Sequence, residues 1–279
     1  MAAGIPFQSL LARLHLHAVL PALEDLVRLS PEARALAEGW DFSLRLRLGG
    51  RHGATATLVS PGDGSLAVHG HGDVPARLTL RFLSATQLNR TFLNRRALPP
   101  LPTAGFWNVA RVGPFTKLAK RLDAALQPAP GALESDTALR ELHLRLLFRV
   151  LLGAIPVLAE GDPVARHTLA HTPDGAAEIR APALGLTGWA RWSRGRMTGG
   201  PGALPGGSPD VAITFADHTT VEAALLGTLD ANAAVGHGKV IVQGLVPLAD
   251  GLSVAMDRVE RYLKPAGAAP AVAFSGGAG

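Results

Sequence analysis

The densest group of potential metal ligands in the chain is His69-Gly70-His71-Gly72-Asp73. Alternate residues of a strand share a face, so His69 and His71 could point together at one ion. A solvated turn ahead of the strand near residue 76 explains the same residues, and no metal site is expected there. Gly236-His237-Gly238-Lys239 looks like the start of a phosphate loop, but it leads into Val240-Ile241-Val242, which reads as a strand. Without a helix N-terminus behind it the loop offers no ready anion site, and the G-x-x-x-x-G-K-[ST] pattern is absent. Neither H-E-x-x-H nor G-x-S-x-G occurs. The chain has no cysteine, which excludes disulfides, thiolate metal sites and thiol nucleophiles. No catalytic residue is assigned, no enzyme activity is expected, and no cofactor is called for.

Other residues admit two readings. Trp189 and Trp192, interleaved with Arg191, Arg194 and Arg196, could stack on nucleic acid or sit at a membrane interface. One tryptophan in a core beside a solvated arginine face explains them equally, and nucleic acid is not the expected partner. His15 and His17 stand two apart in a helical stretch, hence on different faces, and are expected at the surface or its boundary. Arg90 with Asn94-Arg95-Arg96 makes a basic helix end, favourable to the helix dipole without any partner.

The elements that position these residues come in two copies. Sliding the sequence by 133 positions places Leu78, Leu80 and Phe82 on Val211, Ile213 and Phe215, an alternating strand pattern in both. Leu88, Phe92 and Leu93 fall on Val221, Leu225 and Leu226 with helical spacing. Gly105 meets Gly238, Trp107 and Val109 meet Val240 and Val242, and Pro114 meets Pro247, each proline suited to the first turn of a helix. Thr219 to Glu222 matches a capping box, and Ser84-Ala85-Thr86-Gln87 offers the same chemistry. Upstream, residues 42–48, 54–59 and 66–68 read as strands in the first copy. Residues 178–181, 187–192 and 196–198 do so in the second, around a turn at Arg194-Gly195. Helical leaders are expected over 7–29 and 139–159. The apolar stretch 146–159 is too short at 14 residues to span a bilayer.

The expected organisation is a first unit at 1–127, a linker at 128–135, a second unit at 136–264 and a disordered Ala/Gly/Pro tail at 265–279. The start lacks the pattern of a signal peptide, and the expected location is the cytoplasm. Residues 1–133 hold 15 Lys/Arg against 8 Asp/Glu, although the whole chain carries only +5. A basic half of this kind suits peripheral contact with an anionic membrane.

Residues 209–263 resemble the second half of sterol carrier protein type-2 domains. The resemblance is carried by Pro209-Asp210-Val211-Ala212-Ile213-Thr214-Phe215, a short helix ending near Leu226-Gly227, and Gly238-Lys239-Val240-Ile241-Val242-Gln243-Gly244, followed by an apolar helix. The first copy departs from it, with Gly105-Phe106 for Gly-Lys and Arg111 in place of the final Gly. The resemblance implies an α/β (α+β) fold of two tandem units, each a roughly five-stranded sheet with helices packed on one face. It further implies non-enzymatic binding or transfer of a hydrophobic lipid, of fatty-acyl, sterol or isoprenoid type, in an apolar tunnel. The expected lining is Leu225, Leu226, Leu229, Val235, Val240, Val242, Leu248, Leu252 and Met256. A closed-core structural module, or a basic nucleic-acid-binding protein, is the alternative. The larger Trp107, Val109 and Phe115 are expected to leave the first unit with the smaller cavity, and a cut at Pro128-Ala129-Pro130 to separate the halves.

Overall fold

A computed structural model describes residues 5–70 and 74–263. His71, Asp73 and the tail lie outside them. The first unit opens with α1 (Phe7–Leu14), a π-helical turn (His15–Val19), α2 (Ala22–Leu29) and α3 (Pro31–Ala37). Then come β1 (Glu38–Leu48), β2 (Ala54–Asp63), β3 (Ala67–His69), β4 (Leu78–Phe82) and α4 (Ala85–Phe92). It closes with β5 (Leu101–Ala104), a 3-10 segment (Phe106–Val112) and α5 (Gly113–Leu126). The second unit has α6 (Ala132–Ser135), α7 (Thr137–Gly161), α8 (Pro163–Ala170), β6 (Gly175–Ala181), β7 (Leu186–Ser193) and β8 (Arg196–Pro201). It continues through β9 (Val211–Phe215), α9 (His218–Leu225), α10 (Ala231–Gly236), β10 (Val240–Gly244) and α11 (Val246–Leu263).

The two sheets share one topology. Their orders are β3-β2-β1-β4-β5 and β8-β7-β6-β9-β10. In each, only the central pair is parallel: Leu44 stands opposite Leu78 in one, and Ala177 opposite Val211 in the other. Both members of the second pair lie 133 residues after those of the first, so the two parallel pairs have the same spacing and register. Helices α4 and α9 also begin and end 133 apart, and α5 and α11 begin 133 apart. Alternation builds the sheets: Phe42, Leu44, Leu46 and Leu48 of β1 are buried against the helices, while Ser43, Arg45 and Arg47 face the other way. The fold is therefore mixed α/β, with two five-stranded sheets of the same plan.

The equal spacing conceals one rearrangement. Residues 93–112 and 226–245 have equal length but opposite order: strand then 3-10 segment in the first unit, helix then strand in the second. Pro99, Pro100 and Pro102 bar a helix in the first copy and send the chain straight into β5. In the second, Asp230 caps Ala231–Gly236 by accepting from the N–H of Ala233 at 3.0 Å. Trp107 and Val240 thus sit in different element types, which corrects the gapless alignment there.

The true counterpart of Gly105 is Gly244, not Gly238. Both have positive φ, +68° and +106°, and both lie hard against the carbonyl that precedes the parallel strand. A Cβ on Gly105 would stand 1.8 Å from Arg77 O, and one on Gly244 2.1 Å from Asp210 O. Arg77 and Asp210 are themselves 133 apart.

Helix α7 explains its own composition. Leu144, Phe148, Leu152, Ile155 and Ala159 enter the core of the second sheet, and Leu146, Val150, Ala154, Val157 and Leu158 enter that of the first. The stripes are two residues out of step, about 200° around a helix, so they occupy opposite faces. Gly153 permits close approach of two backbones: a Cβ there would lie 2.9 Å from Ala18 Cα. The helix spans 25 residues and is long and apolar enough to cross a membrane, but 61% of its most apolar window is buried in the protein. A helix apolar on every side is what burial between two layers requires.

Candidate functional site

The residues expected to line a lipid site belong to α9, α10, β10, α11 and the loops between them. Val240, Leu248 and Leu252 are buried with Ile213, Phe215 and Val221 in the second core. Leu225, Leu229, Val242 and Met256 are partly buried against that core. Leu226 is also partly buried, and Val235 is 50% exposed. Ile241, between Val240 and Val242 in β10, is exposed on the opposite face of the strand. The nine therefore divide into a packed floor and a half-open margin.

Local chemistry fixes the helices that carry this margin. Asp217, not Thr219, caps α9, accepting from the N–H of Thr220 at 2.7 Å and from its hydroxyl at 2.8 Å. The backbone N–H of Thr220, then its hydroxyl, hold the Asp217 carboxyl below the usual range. A carboxylate also suits the positive end of a helix, which explains why the aspartate takes the cap from the threonine. Glu222 does not reach back to close a capping box. It pairs with Arg140 of α7, whose Nε donates to Oε1 at 2.9 Å. In the first unit Ser84 caps α4, accepting from the Gln87 N–H at 3.1 Å, and Gln87 Oε1 accepts from Leu83 N at 2.7 Å. Asp210 of the Asp-x-x-Ile-Thr strand is structural here: its Oδ2 accepts from Ala176 N at 2.7 Å, stitching β9 to β6.

Among the described residues, two grooves lie on the first unit, and neither is lined by the nine expected residues. One of about 530 Å³ lies over Leu36, Lys117, Lys120, Arg121 and Ala124. The other, about 420 Å³, lies beside Arg13, His17, Arg47 and the glycines of the β1–β2 turn. Trp107 does not fill space in the first unit as its size suggested. It is 73% exposed, because β5 ends at Ala104 and the ring rides on the 3-10 segment beyond.

Other candidates fall as follows. His15 is buried and not at the surface: its ring stacks on Phe92 with centroids 5.0 Å apart, and Nδ1 lies 3.1 Å from Asn89 Oδ1. The π-helical turn directs that face of the helix onto α4. His143 is buried as well, with Nδ1 2.8 Å from Ala125 O. Trp192 is in the second core, Trp189 is partly buried, and Arg191 donates to Pro205 O at 2.8 Å. His69 and His237 are exposed. Among the described residues no group of three His, Asp or Glu could hold a metal.

One polar centre escaped the sequence reading. Asp162, wholly buried, caps α8 and accepts from Arg258 Nη2 and from the Tyr262 hydroxyl, each at 2.8 Å. Burial pushes its carboxyl up, but the Arg258, Ala165 and Tyr262 hydrogen bonds outweigh that and hold it below the usual range. Partners 96 and 100 residues away leave no local signal beyond Asp162-Pro163, a cap followed by proline.

No protein-family model and no curated protein matches the chain. Among solved structures it is similar to palmitated SCP2L2 from Aedes aegypti, at 20% identity over 33% of this chain and 86% of that one, TM-score 0.25. It is also similar to a conserved hypothetical protein from Thermus thermophilus, described as a possible sterol carrier protein. There the identity is 15% over 46% of this chain and 85% of that one, TM-score 0.29. A third likeness is to the stereoselective inverting sec-alkylsulfatase Pisa1 from Pseudomonas sp., at 13% identity over 53% of this chain, TM-score 0.26. This chain spans 28% of the sulfatase. All three likenesses fall below 25% identity and a TM-score of 0.5.

Proposed function

We propose that the protein binds or transfers a hydrophobic lipid of fatty-acyl, sterol or isoprenoid type, without turnover, on the apolar margin of its second unit. The observation that carries this is the half-open cluster of Leu225, Leu226, Leu229, Val242 and Met256 above a fully packed floor. Partly exposed aliphatic groups forgo about 25 cal/mol per Å² of burial, and a lipid chain laid against them restores it. Apolar walls with polar groups kept to the edge are the usual make-up of such sites. The carboxylates of the same segment, Asp217, Glu222 and Asp230, are engaged in caps or an ion pair. The positive first half would add peripheral contact with an anionic membrane from the cytoplasmic side. Nucleic acid is not the proposed partner.

The packing of Val240, Leu248 and Leu252 favours the second reading, an interaction module with a closed core. Titration of the delipidated full chain with a fluorescent polyene fatty acid separates the two. Saturable binding is expected, weakened about tenfold by Leu226→Glu or Leu229→Glu, a loss near 1.4 kcal/mol, with the unfolding midpoint unchanged. Absence of binding to the wild-type chain, or binding indifferent to both substitutions, establishes the closed core.

A further inference from the structure

We propose that the outer edge of the first sheet, from the α4–β5 connection through the 3-10 segment, docks onto an anionic lipid bilayer. This rests on the membrane contact proposed above for the first half and names the surface that makes it.

The edge is apolar where it should not be. Leu98 is 75% exposed and Trp107 73%; Leu83, Leu101, Phe106 and Val109 are exposed too. Contiguous exposed apolar surface of this kind marks an interaction site. All four residues of β5 are exposed, whereas in the second unit α10 packs on the equivalent strand β10. The prolines that removed the helix from the first copy left its sheet edge uncovered.

The segment is nevertheless held firmly from beneath. Trp40 Nε1 donates to Arg111 O at 2.9 Å, and Arg111 Nη2 donates to Asp41 O at 2.9 Å. The Arg111 guanidinium lies 5.1 Å above the Phe42 ring, and Asn108 Nδ2 donates to Arg77 O at 3.0 Å. At the other end Gln87 Nε2 donates to the carbonyls of Leu98 and Pro99 at 3.1 and 3.0 Å. Phe106 and Trp107 meet edge-on, centroids 5.1 Å apart, and project from this anchored base.

Charge selects the occupant. Residues 77–126 hold nine Lys/Arg and one acid, Asp123, a balance of +8. The matching residues 210–259 hold two Lys/Arg and six Asp/Glu, a balance of −4. Arg81, Arg90, Arg95 and Arg96 of this stretch are all exposed, and such cations in one segment with exposed tryptophan, phenylalanine and leucine fit the headgroup boundary of an anionic membrane. Single-stranded nucleic acid would use the rings for stacking, but Leu83, Leu98, Leu101 and Val109 offer it nothing. Those aliphatic groups are suited to acyl chains.

The test is flotation of the full-length chain with phosphatidylcholine vesicles, with and without phosphatidylserine, read beside the fatty-acid titration. Binding is expected only with phosphatidylserine, falling steeply as the Debye length shrinks from about 8 Å toward 3 Å with added salt. Brominated acyl chains should quench tryptophan emission, and Trp107→Phe should abolish that quenching, because Trp40 and Trp192 are buried and Trp189 partly so. Phe106→Ser with Trp107→Ser should lower vesicle partitioning about tenfold and leave fatty-acid affinity unchanged, so failure here differs visibly from failure of the lipid-site reading. Equal binding to phosphatidylcholine alone, indifference to the double serine variant, or displacement from vesicles by single-stranded DNA would overturn the proposal.

Discussion

His15 donates from Nδ1 toward Asn89 Oδ1, because Asn89 Nδ2 is committed to Gln8 O and Oε1 at 2.9 and 2.8 Å. Burial lowers the imidazole to about 4, only partly offset by the Asn89 hydrogen bond. In the unfolded chain the same ring titrates near its ordinary value of about 6.5. The native state therefore binds fewer protons across that window, and stability falls as pH drops from 6.5 toward 4, then levels off. The loss across the window is about 3 kcal/mol. Urea unfolding of wild type and His15→Leu at pH 7 and pH 4.5 should show the wild type losing more. Parallel pH slopes for the two proteins would refute this.

At the scale of elements, the exchanged order of strand and helix gives three glycines different weights. Gly105 and Gly244 are left-handed and jammed against a carbonyl; Gly238 is left-handed, at φ +69°, with nothing within 4 Å of a Cβ. Gly238→Ala should cost about 1 kcal/mol, the strain of the conformation alone. Gly105→Ala and Gly244→Ala must also displace the parallel strand's lead-in, so each should cost about 3 kcal/mol or more in denaturant titrations. Equal costs at 105 and 238 would instead restore the original alignment. The same elements show why α9 and α4 superpose: Asp217 and Ser84 are both extended caps one residue before helices of eight.

Across the whole molecule, the two sheets share one structural helix. The first core takes Leu146, Val150, Ala154, Val157 and Leu158 from α7 and Val259 and Tyr262 from α11. Tyr262 also stacks on Phe7, centroids 5.0 Å apart, while its hydroxyl reaches Asp162. Burying six large side chains is worth about 1.5–3 kcal/mol each. That sum, roughly 10 kcal/mol or more, rivals the net stability of an ordinary domain. Residues 1–127 by themselves should therefore lack native near-ultraviolet circular dichroism. The full chain should melt in one transition with calorimetric and van't Hoff enthalpies in agreement. An independently folded 1–127 fragment, or two resolved transitions, would show that the cores are separable.

What the amino-acid order determined by itself is whatever has a local period. The alternation in β1 and β4, the spacing in α4 and α9, and the 133-residue offset between Leu78–Phe82 and Val211–Phe215 were legible, because backbone geometry imposes periods of two and 3.6 wherever a face is buried. The apolar character of Leu225, Leu226, Leu229 and Met256 was equally plain. Tertiary structure alone decided how such residues were spent. Trp107 and Val109 read as strand until Gly105 was found to close β5 before them. His15 looked like a boundary residue until α4 covered it. Helix α7 read as the leader of one unit until its second stripe met α1, α2, α5 and the π-helical turn of the other, and Asp162 found Arg258 and Tyr262 across 96 and 100 residues. Hydrophobic burial is non-directional: a sequence records that a side chain avoids water, and only the packed chain specifies the partner that provides the shelter.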